Sequence, residues 1–218
     1  MEVLYEDNHL IIVNKKSGEI VQGDRTGDRT LAEKVKNYIK KKYNKPGNVF
    51  IGTTHRLDRP VSGAIIFAKT SKALTRLNAQ FQQKEIQKTY WALCLEKPVP
   101  SSGSLVHYLI KDAEKNKTAA YLEDKPSSKK AELHYQYLKK QGRHYLVEVN
   151  PLTGRPHQIR IQLSTIGCTI KGDLKYGAHF PNKDKSICLH SRKVEFIHPV
   201  SKEKIAAVAP LLNESLWD

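Results

Sequence analysis

A succession of short strand-like segments separated by turn residues fills the middle of this 218-residue chain. Residues 89–95 are dense in aromatic and β-branched side chains, which is typical of a central strand. Similar segments lie at residues 105–110, 118–122, 131–138 and 144–149. The last two flank the polar turn Lys140-Gln141-Gly142-Arg143, and this arrangement predicts a β-hairpin. A chain built this way has to form a large sheet.

Helix signals precede this strand-rich region. Thr30 with Glu33 three residues later forms a capping box, and apolar residues at helical spacing follow it. Ser71 is predicted to cap a second helix. Further strands are predicted at residues 9–14, 62–69 and 186–196. The order of elements predicts an α+β fold, a single domain with a large, mainly antiparallel mixed sheet flanked by helices and loops. The polar residues 111–130 are predicted to be a flexible insertion that contacts a binding partner of the protein.

The charge of the chain points to a polyanionic partner. The formal net charge is +15, from 37 Lys and Arg residues against 22 Asp and Glu residues. The basic residues are spread along the chain, with clusters at residues 40–42, 129–130 and 139–140. This distribution favours a folded surface that binds nucleic acid over a membrane surface. A basic protein with no nucleic-acid role is the alternative.

The sequence carries few signals of a compartment other than the cytoplasm. The N-terminal residues do not form a signal or transit peptide, and no apolar run reaches the roughly 20 residues needed to span a bilayer. Cys94, Cys168 and Cys188 are too scattered for a disulfide framework or a metal knuckle. We therefore predict a cytoplasmic protein.

Residues 55–63 place one carboxylate between two guanidinium groups, just before the apolar run at residues 64–68. Positive charge beside Asp58 favours its ionised form. An ionised carboxylate at the mouth of a buried strand is a candidate nucleophile or base. The alternative is that Asp58 caps a turn or pairs with Arg56 or Arg59. We refer to residues 55–63 as the aspartate motif.

A second group of functional side chains lies in residues 153–160, which we call the arginine motif. A tight turn here leads through Pro156 into a helix that is predicted to end at Gly167. Apolar residues occupy one helical face, whereas His157 and Arg160 fall on another. The helix N-terminus beside Gly154 suits a phosphate group. A solvated polar face without function is the alternative.

These segments resemble the RluA-type pseudouridine synthases, a family of RNA uridine isomerases. His55-Arg56-Leu57-Asp58-Arg59-Pro60-Val61-Ser62-Gly63 resembles the family's HRLD segment, and Lys88-Thr89-Tyr90 resembles its K-x-Y. Thr153-Gly154-Arg155-Pro156-His157-Gln158-Ile159-Arg160 resembles its TGRxHQIR. Residues 172–177 match GDxxYG, and Leu189-His190 with residues 196–199 resembles the closing segment. The resemblance runs in order from about residue 4 to residue 200. Lys16, Gln162 and Ser191 depart from the family pattern.

The resemblance implies a reaction and a set of catalytic residues. The N1–C1′ bond of a uridine breaks, the uracil turns, and C5 bonds to C1′. Asp58 is implied to be the nucleophile, either attacking C1′ or assisting a glycal route. Arg160 is expected to pair with Asp58, with Arg155 as the competing partner, because a guanidinium can hold a carboxylate through two hydrogen bonds. Tyr90 is expected to stack on the uracil, unless it is an ordinary core tyrosine.

The remaining site residues are assigned to substrate binding. Arg56 is implied to enter the space that the flipped base leaves, and a surface arginine bound to phosphate is its alternative. His55 is expected to shape the loop, Leu189 to form an apolar wall, and Arg155 and His157 to contact RNA. Neither a cofactor nor a metal is implied, and the sequence carries no dinucleotide loop, P-loop or ligand-spaced His/Cys set.

The resemblance also sets expectations about the whole protein. It implies one catalytic domain over residues 1–218, without a separate N-terminal RNA-binding domain. The partner is expected to be rRNA, tRNA or both, and the protein is expected to be a monomer with no obligatory protein partner. A non-catalytic RNA-binding protein would not need Asp58, Tyr90 and Arg160. A basic hydrolase would require paired histidines or a carboxylate metal cluster, and the sequence shows neither pattern.

Overall fold

The structure, a computed structural model, describes residues 1–23 and 27–217. These residues form two compact units. Unit 1 comprises Met1–Gln87 and Ser191–Leu212, and unit 2 comprises Lys88–His190 and the C-terminal residues from Asn213. Unit 1 is therefore assembled from two separate pieces of chain, with unit 2 inserted between them.

Unit 1 is built on mainly antiparallel strands with helices packed against them. Its strands are β1 (Glu2–Glu6), β2 (Leu10–Lys15), β3 (Gly52–Thr53), β4 (Ser62–Ala68), β10 (Leu189–Ile197) and β11 (Lys204–Val208). The spatial order is β1-β2-β4-β10, while β3 pairs with β4 and β11 pairs with β10. The predicted strands 9–14 and 62–69 are confirmed, and the predicted strand 186–196 begins at Leu189. The sequence reasoning missed β1, β3 and β11.

Both faces of the unit 1 sheet are covered by apolar side chains. On one face, Ile11 and Val13 of β2 pack with helix α1 (Leu31–Lys42), through Leu31, Val35 and Ile39. On the other face, Leu10 and Ile12 pack with helix α2 (Ser71–Gln82) and with apolar residues of β10 and β11. Alternation of side chains along each strand sends neighbouring residues to opposite cores. The aspartate motif enters β4 directly between these two cores.

The two helices of unit 1 begin at capped residues. Thr30 accepts a hydrogen bond from the Glu33 amide at 3.1 Å, and the Glu33 carboxylate accepts one from the Thr30 amide at 2.8 Å. The predicted capping box is thus confirmed. The predicted cap of α2 is wrong by one residue, because Thr70 accepts from the Ala73 amide and Ser71 is already the first helical residue. Thr70 has the extended backbone of an N-cap.

Unit 2 is also built on antiparallel strands. Its strands are β5 (Gln87–Cys94), β6 (Ser102–Asp112), β7 (Lys117–Tyr121), β8 (Lys129–Gln141) and β9 (His144–Pro151), in the order β5-β9-β8-β6-β7. All four neighbouring pairs are antiparallel. The predicted hairpin joins β8 to β9 through Gly142 and Arg143. Helix α3 (Gln158–Thr165) follows β9.

Two predictions within unit 2 need correction. Residues 111–130 are not a flexible insertion: they include β7, and Thr118 on that strand is buried because it bonds to the arginine motif. The helix of the arginine motif begins at Gln158, two residues after Pro156, because His157 adopts a left-handed backbone with φ 53°. Arg160 does not lie on a solvated face either, since it is 5% exposed.

The α+β class, with mainly antiparallel strands flanked by helices and loops, is confirmed. A single domain over the whole chain stays a prediction. Among the described residues, no helix is both long enough and apolar enough to cross a membrane.

Candidate functional site

The predicted site residues divide between the two units. His55, Arg56 and Asp58 belong to unit 1, whereas Tyr90, Arg155, His157, Arg160 and Leu189 belong to unit 2. Each group is described within its own unit.

The aspartate motif is held in place by a buried lysine. The side chain of Lys15, at the end of β2, is completely shielded from solvent. Its ammonium group donates to the main-chain carbonyls of Lys16 at 3.1 Å, Asp58 at 3.3 Å, Arg59 at 3.1 Å and Val61 at 2.6 Å. Three of these four acceptors belong to the aspartate motif. Lys15 therefore fixes the path of the main chain on which Asp58 is carried.

Burial makes Lys15 easier to deprotonate than an ordinary lysine. Loss of water lowers the pKa of Lys15 to about 8, although the negative charges of Glu19 and Asp58 act in the opposite direction. The ammonium is thus close to titrating near neutral pH. The geometry of the aspartate motif should consequently be sensitive to alkaline pH.

Gly63 allows the end of the aspartate motif to approach its neighbour closely. Its φ is +116°, a conformation that disfavours any L side chain. A Cβ atom at this position would collide with the main chain of Ser191. Gly63 therefore allows the start of β4 to lie close to Ser191. Ser191 departs from the family pattern, but it makes this contact through its backbone.

His55 shapes the loop through hydrogen bonding. Its Nε2 accepts the Ile66 amide of β4 at 3.0 Å, and its ring packs on Phe81 of α2 at 4.9 Å between centroids. An Nε2 that accepts a hydrogen bond carries no proton, so the bond requires the Nδ1-protonated neutral ring. This environment supports the loop-shaping role that was predicted for His55.

Asp58 lies half-buried at the first position of a tight turn that closes with the Val61 amide bonded to the Asp58 carbonyl at 3.0 Å. Of the two flanking arginines, Arg59 pairs with Asp28. Arg56 is exposed, and its side chain makes no hydrogen bond to the described residues. The turn thus carries the two guanidinium groups into different surroundings. That either of them keeps Asp58 ionised stays a prediction.

In unit 2, the arginine motif is a turn tied to strand β8. The Gln158 side chain donates to the Glu132 carbonyl at 3.0 Å and accepts from the Arg155 amide at 3.0 Å. Thr153 donates to the same Gln158 oxygen at 2.8 Å and accepts from the Glu132 amide at 2.9 Å. Gln158 and Thr153 together fix the turn that precedes α3.

His157 is held in its left-handed conformation by Tyr176. The Tyr176 hydroxyl accepts the Thr118 amide at 2.8 Å and lies 2.7 Å from Nδ1 of His157. The Tyr176 hydroxyl thus contacts both the main chain of β7 and the ring of His157. Burial raises the pKa of Tyr176, against the effect of the Thr118 amide. Tyr176 therefore helps to fix the position of the His157 ring.

Arg160 forms a buried, bidentate ion pair with Asp173. Its Nε and one terminal nitrogen each donate to a different Asp173 oxygen at 2.7 Å, and its guanidinium lies over the Tyr176 ring at 5.1 Å. Both side chains are almost completely buried. Sequence reasoning assigned Arg160 to Asp58 and overlooked Asp173, although Asp173 stands in the GDxxYG segment. The pairing of Arg160 with Asp58 stays a prediction.

The other predicted residues of unit 2 differ in exposure. Tyr90 is 8% exposed on β5, opposite Val149, and Leu189 is 3% exposed. Arg155 is half-buried and donates from Nε to the Lys130 carbonyl at 3.0 Å. Its terminal nitrogens have no described hydrogen bond, which fits a contact with an outside anion better than a role inside the protein.

Gln162, the departure after the arginine motif, has a structural role. It is completely buried, and its amide nitrogen lies 3.1 Å from both the Leu105 carbonyl and Nδ1 of His107. These bonds attach α3 to β6. The departure thus preserves a polar link within the unit.

Comparison with known proteins gives a consistent picture. The sequence profile of a family described as RNA pseudouridylate synthase matches residues 9–165. A ribosomal large subunit pseudouridine synthase C from Buchnera aphidicola subsp. Acyrthosiphon pisum is 38% identical over 216 residues, 96% of this chain and 67% of that protein. The protein of the same name from Vibrio cholerae is 32% identical, over 96% of this chain and 65% of that protein.

A solved structure shares the fold. Human RNA Pseudouridylate Synthase Domain Containing 4 superposes with a TM-score of 0.81 at 22% identity, over 99% of this chain and 90% of that chain. The present chain spans about two thirds of the length of the curated relatives it matches.

Proposed function

Because the chain belongs to the RNA pseudouridylate synthase family, we propose that it converts specific uridines of structured RNA to pseudouridine, with Asp58 as the nucleophile. Its family consists of isomerases that act on RNA. The proposed reaction requires no cofactor and no metal. The observation that carries it is the aspartate motif, in which a half-buried carboxylate sits on a loop fixed through its main chain by Lys15.

Fixing a nucleophile through its backbone has a chemical purpose. The carbonyl groups of Asp58, Arg59 and Val61 bind Lys15, and these bonds order the loop without involving the Asp58 carboxylate oxygens. A positioned carboxylate can act as a nucleophile at C1′ or as a base in a glycal route. Both routes break the N1–C1′ bond, join C5 to C1′, and move a proton from C5 to solvent while N1 gains one.

The residues of unit 2 are proposed to bind the base and the backbone. Tyr90 offers an aromatic face for uracil and Leu189 an apolar one, and both are buried in the protein without RNA. Arg155 is proposed to bind phosphate, which matches its unbonded terminal nitrogens. His157 is proposed to contact RNA from the position in which Tyr176 holds its ring.

Arg56 is proposed to occupy the space that the target base leaves when it flips. It is exposed and makes no described side-chain hydrogen bond, so its planar guanidinium is available for stacking. Flipping costs a few kcal/mol, and least where the base is already unpaired. The proposed substrate is therefore a stem-loop, in large-subunit rRNA to judge from the relatives' names, or in tRNA. A cytoplasmic monomer is proposed as well.

The experiment is to map pseudouridines in RNA from cells lacking the protein, and to complement with wild type, Asp58→Asn or Asp28→Asn. Asp28→Asn is a matched control, because it removes a carboxylate of the same unit that pairs with Arg59. We expect at least one position to require wild type, to be kept by Asp28→Asn and to disappear with Asp58→Asn, with a rate at least about 10⁴-fold lower in vitro. If no position depends on Asp58, the proposal fails.

A further inference from the structure

A groove open to solvent runs along helix α1 in unit 1. Its volume is about 520 Å³, and its lining residues are Arg29, Asn37, Lys40, Lys41, Asn44 and Lys45. Among the residues that the structure describes, the lining thus consists of four cations and two amides and includes no carboxylate. The lining comprises the residue before the helix N-cap, three residues of the second half of the helix, and two residues beyond its C-terminus.

The cations of this groove are not neutralised by the described part of the protein. Lys34 and Lys42 on the same helix pair with Glu19 and Glu6 at 2.8 and 2.7 Å. By contrast, Lys40, Lys41 and Lys45 are exposed, and the described residues offer their side chains neither a hydrogen bond nor an ion pair. The same holds for Arg29. Helix α1 therefore carries some lysines that pair with carboxylates, and its C-terminal end carries a row of lysines that do not pair with any described residue.

The C-terminal end of helix α1 fixes the backbone of one residue in this row. Asn44 adopts the left-handed conformation with φ 47°, and the Lys45 amide donates back to the Lys40 carbonyl at 3.1 Å. This is the closing bond of a Schellman-type C-terminus. It fixes the backbone of Lys45 against the last helical turn.

Helix-dipole stabilisation does not explain the whole row. Lysines in the last turn of a helix are stabilised by the helix dipole. Arg29, however, precedes the N-cap, where the dipole disfavours positive charge. A cation at each end of one groove, with cations between, is accounted for by a polyanion that lies along it.

We propose that this groove binds the phosphate backbone of the RNA substrate outside the reaction site. The proposal rests on the proposed function and adds a binding surface to it. A linear row of unmatched lysines and arginine with two amide donors suits successive phosphates, because each cation can neutralise one phosphate and release its counterions. The expected contribution is to affinity and not to the chemical step.

The test variant is the triple substitution Lys40→Gln, Lys41→Gln and Lys45→Gln. Glutamine has a helix propensity close to that of lysine, so the fold should be kept. The matched control is Lys72→Gln, Lys84→Gln and Lys202→Gln, which removes the same charge from exposed sites of the same unit. The probe is an unmodified transcript of bacterial large-subunit rRNA, with binding measured across a range of salt concentrations.

We expect the groove variant to bind about tenfold more weakly or worse. The slope of log K against log salt should become shallower by about 0.7–0.9 for each phosphate that the variant no longer neutralises. The control variant should keep the wild-type slope. At saturating enzyme, the groove variant should retain the wild-type single-turnover rate constant. Equal slopes in the two variants would overturn the proposal, and so would a groove variant whose only defect is in binding to phosphatidylglycerol vesicles.

The two proposals can fail separately. If wild type forms no pseudouridine but the groove variant still binds RNA more weakly than the control, the groove stands and the proposed function falls. If wild type is active and the groove variant binds like the control, the groove alone is wrong.

Discussion

At the scale of single residues, a fully buried ammonium group must be matched by acceptors, and Lys15 finds them in main-chain carbonyls. Of the carbonyls it binds, those of Asp58 and Arg59 also receive the amides of Val61 and Gly18. The Val61 carbonyl accepts from the Lys15 ammonium at 2.6 Å, and no described main-chain amide is a second donor to it. Val61 is therefore the acceptor that depends most on Lys15.

Replacing Lys15 with methionine should reduce stability and activity together. The substitution keeps an unbranched side chain of similar length but leaves the Val61 carbonyl buried and unsatisfied, at a cost of about 1–3 kcal/mol. We expect urea denaturation to show a decrease of this size. Because the loop carries Asp58, the single-turnover rate should fall by more than the small unfolded fraction explains. A rate equal to that of wild type would contradict the scaffold role of Lys15.

The pKa of Lys15 gives a prediction about pH. In the folded state Lys15 loses its proton near pH 8, whereas in the unfolded chain it does so near 10.5. Between these values the unfolded state binds more protons, so the contribution of Lys15 to the free energy of unfolding rises with pH. The neutral amine has only two hydrogens for its several acceptors, however, and the loop should loosen.

We therefore expect the single-turnover rate to decline from pH 7 to pH 9, with a midpoint near 8, without a decrease in stability arising from this group. The measurement is a pH–rate profile of wild type beside Lys15→Met, with urea denaturation at each pH. The variant should lack this decline, since it has nothing to titrate at that position. Identical alkaline limbs in the two proteins would assign the decline to another group.

At the scale of elements, one tyrosine hydroxyl joins three pieces of unit 2. Tyr176, in a 3₁₀ turn (Leu174–Tyr176), binds the Thr118 amide of β7 and the His157 ring at the start of α3. A second bond, from the Thr118 hydroxyl to the Pro156 carbonyl at 3.1 Å, runs between the same two elements. Strand β7 is ordered because it is part of this network.

The variant Tyr176→Phe should separate these elements. It leaves the buried Thr118 amide without its acceptor, which should lower the free energy of unfolding by about 1–3 kcal/mol. Hydrogen exchange at Thr118 should accelerate selectively. Tyr121→Phe is the matched control, because the Tyr121 hydroxyl makes no described hydrogen bond, and its effect should stay within about 0.5 kcal/mol. Equal effects of the two substitutions would show that the hydroxyl of Tyr176 is not the link.

At the scale of the whole molecule, charge determines how the chain meets RNA. With a net charge of +15, we expect RNA affinity to fall steeply with salt, by on the order of 10³-fold between 50 and 200 mM if at least six phosphates are bound. Filter binding with the rRNA transcript measures this. Asp58→Asn should show the same slope, because its side chain is assigned to the reaction and not to phosphate. An affinity that does not depend on salt would contradict a phosphate-based interface.

The features predicted correctly from sequence are those with local causes. The capping box of Thr30 and Glu33 depends on residues three apart, and the β8–β9 hairpin on a single turn. Asp58 is assigned from a contiguous motif as well, and its role as the nucleophile stays a prediction. These features need no knowledge of distant parts of the chain.

The features that were missed depend on interactions between distant residues. Asp173 lies 13 positions from Arg160, and Lys15 lies 43 positions from Asp58. A lysine at the end of an apolar strand is ordinarily expected to reach solvent. Only the folded chain shows that its ammonium group is enclosed by carbonyls.

The division of unit 1 into two pieces has a consequence for how the protein is made. The apolar face of unit 1 that contains Leu10 and Ile12 also needs Val194, Phe196, Ala207 and Ala209. These four residues leave the ribosome more than a hundred residues after Gln87, the last residue of the first piece. At about 5–20 residues per second, that face waits roughly 5–20 s for its partners. The strands β5 to β9 of unit 2 can thus pair with one another before this face of unit 1 is completed. During this interval the nascent chain displays an unpaired apolar surface, the kind that a holdase chaperone would cover.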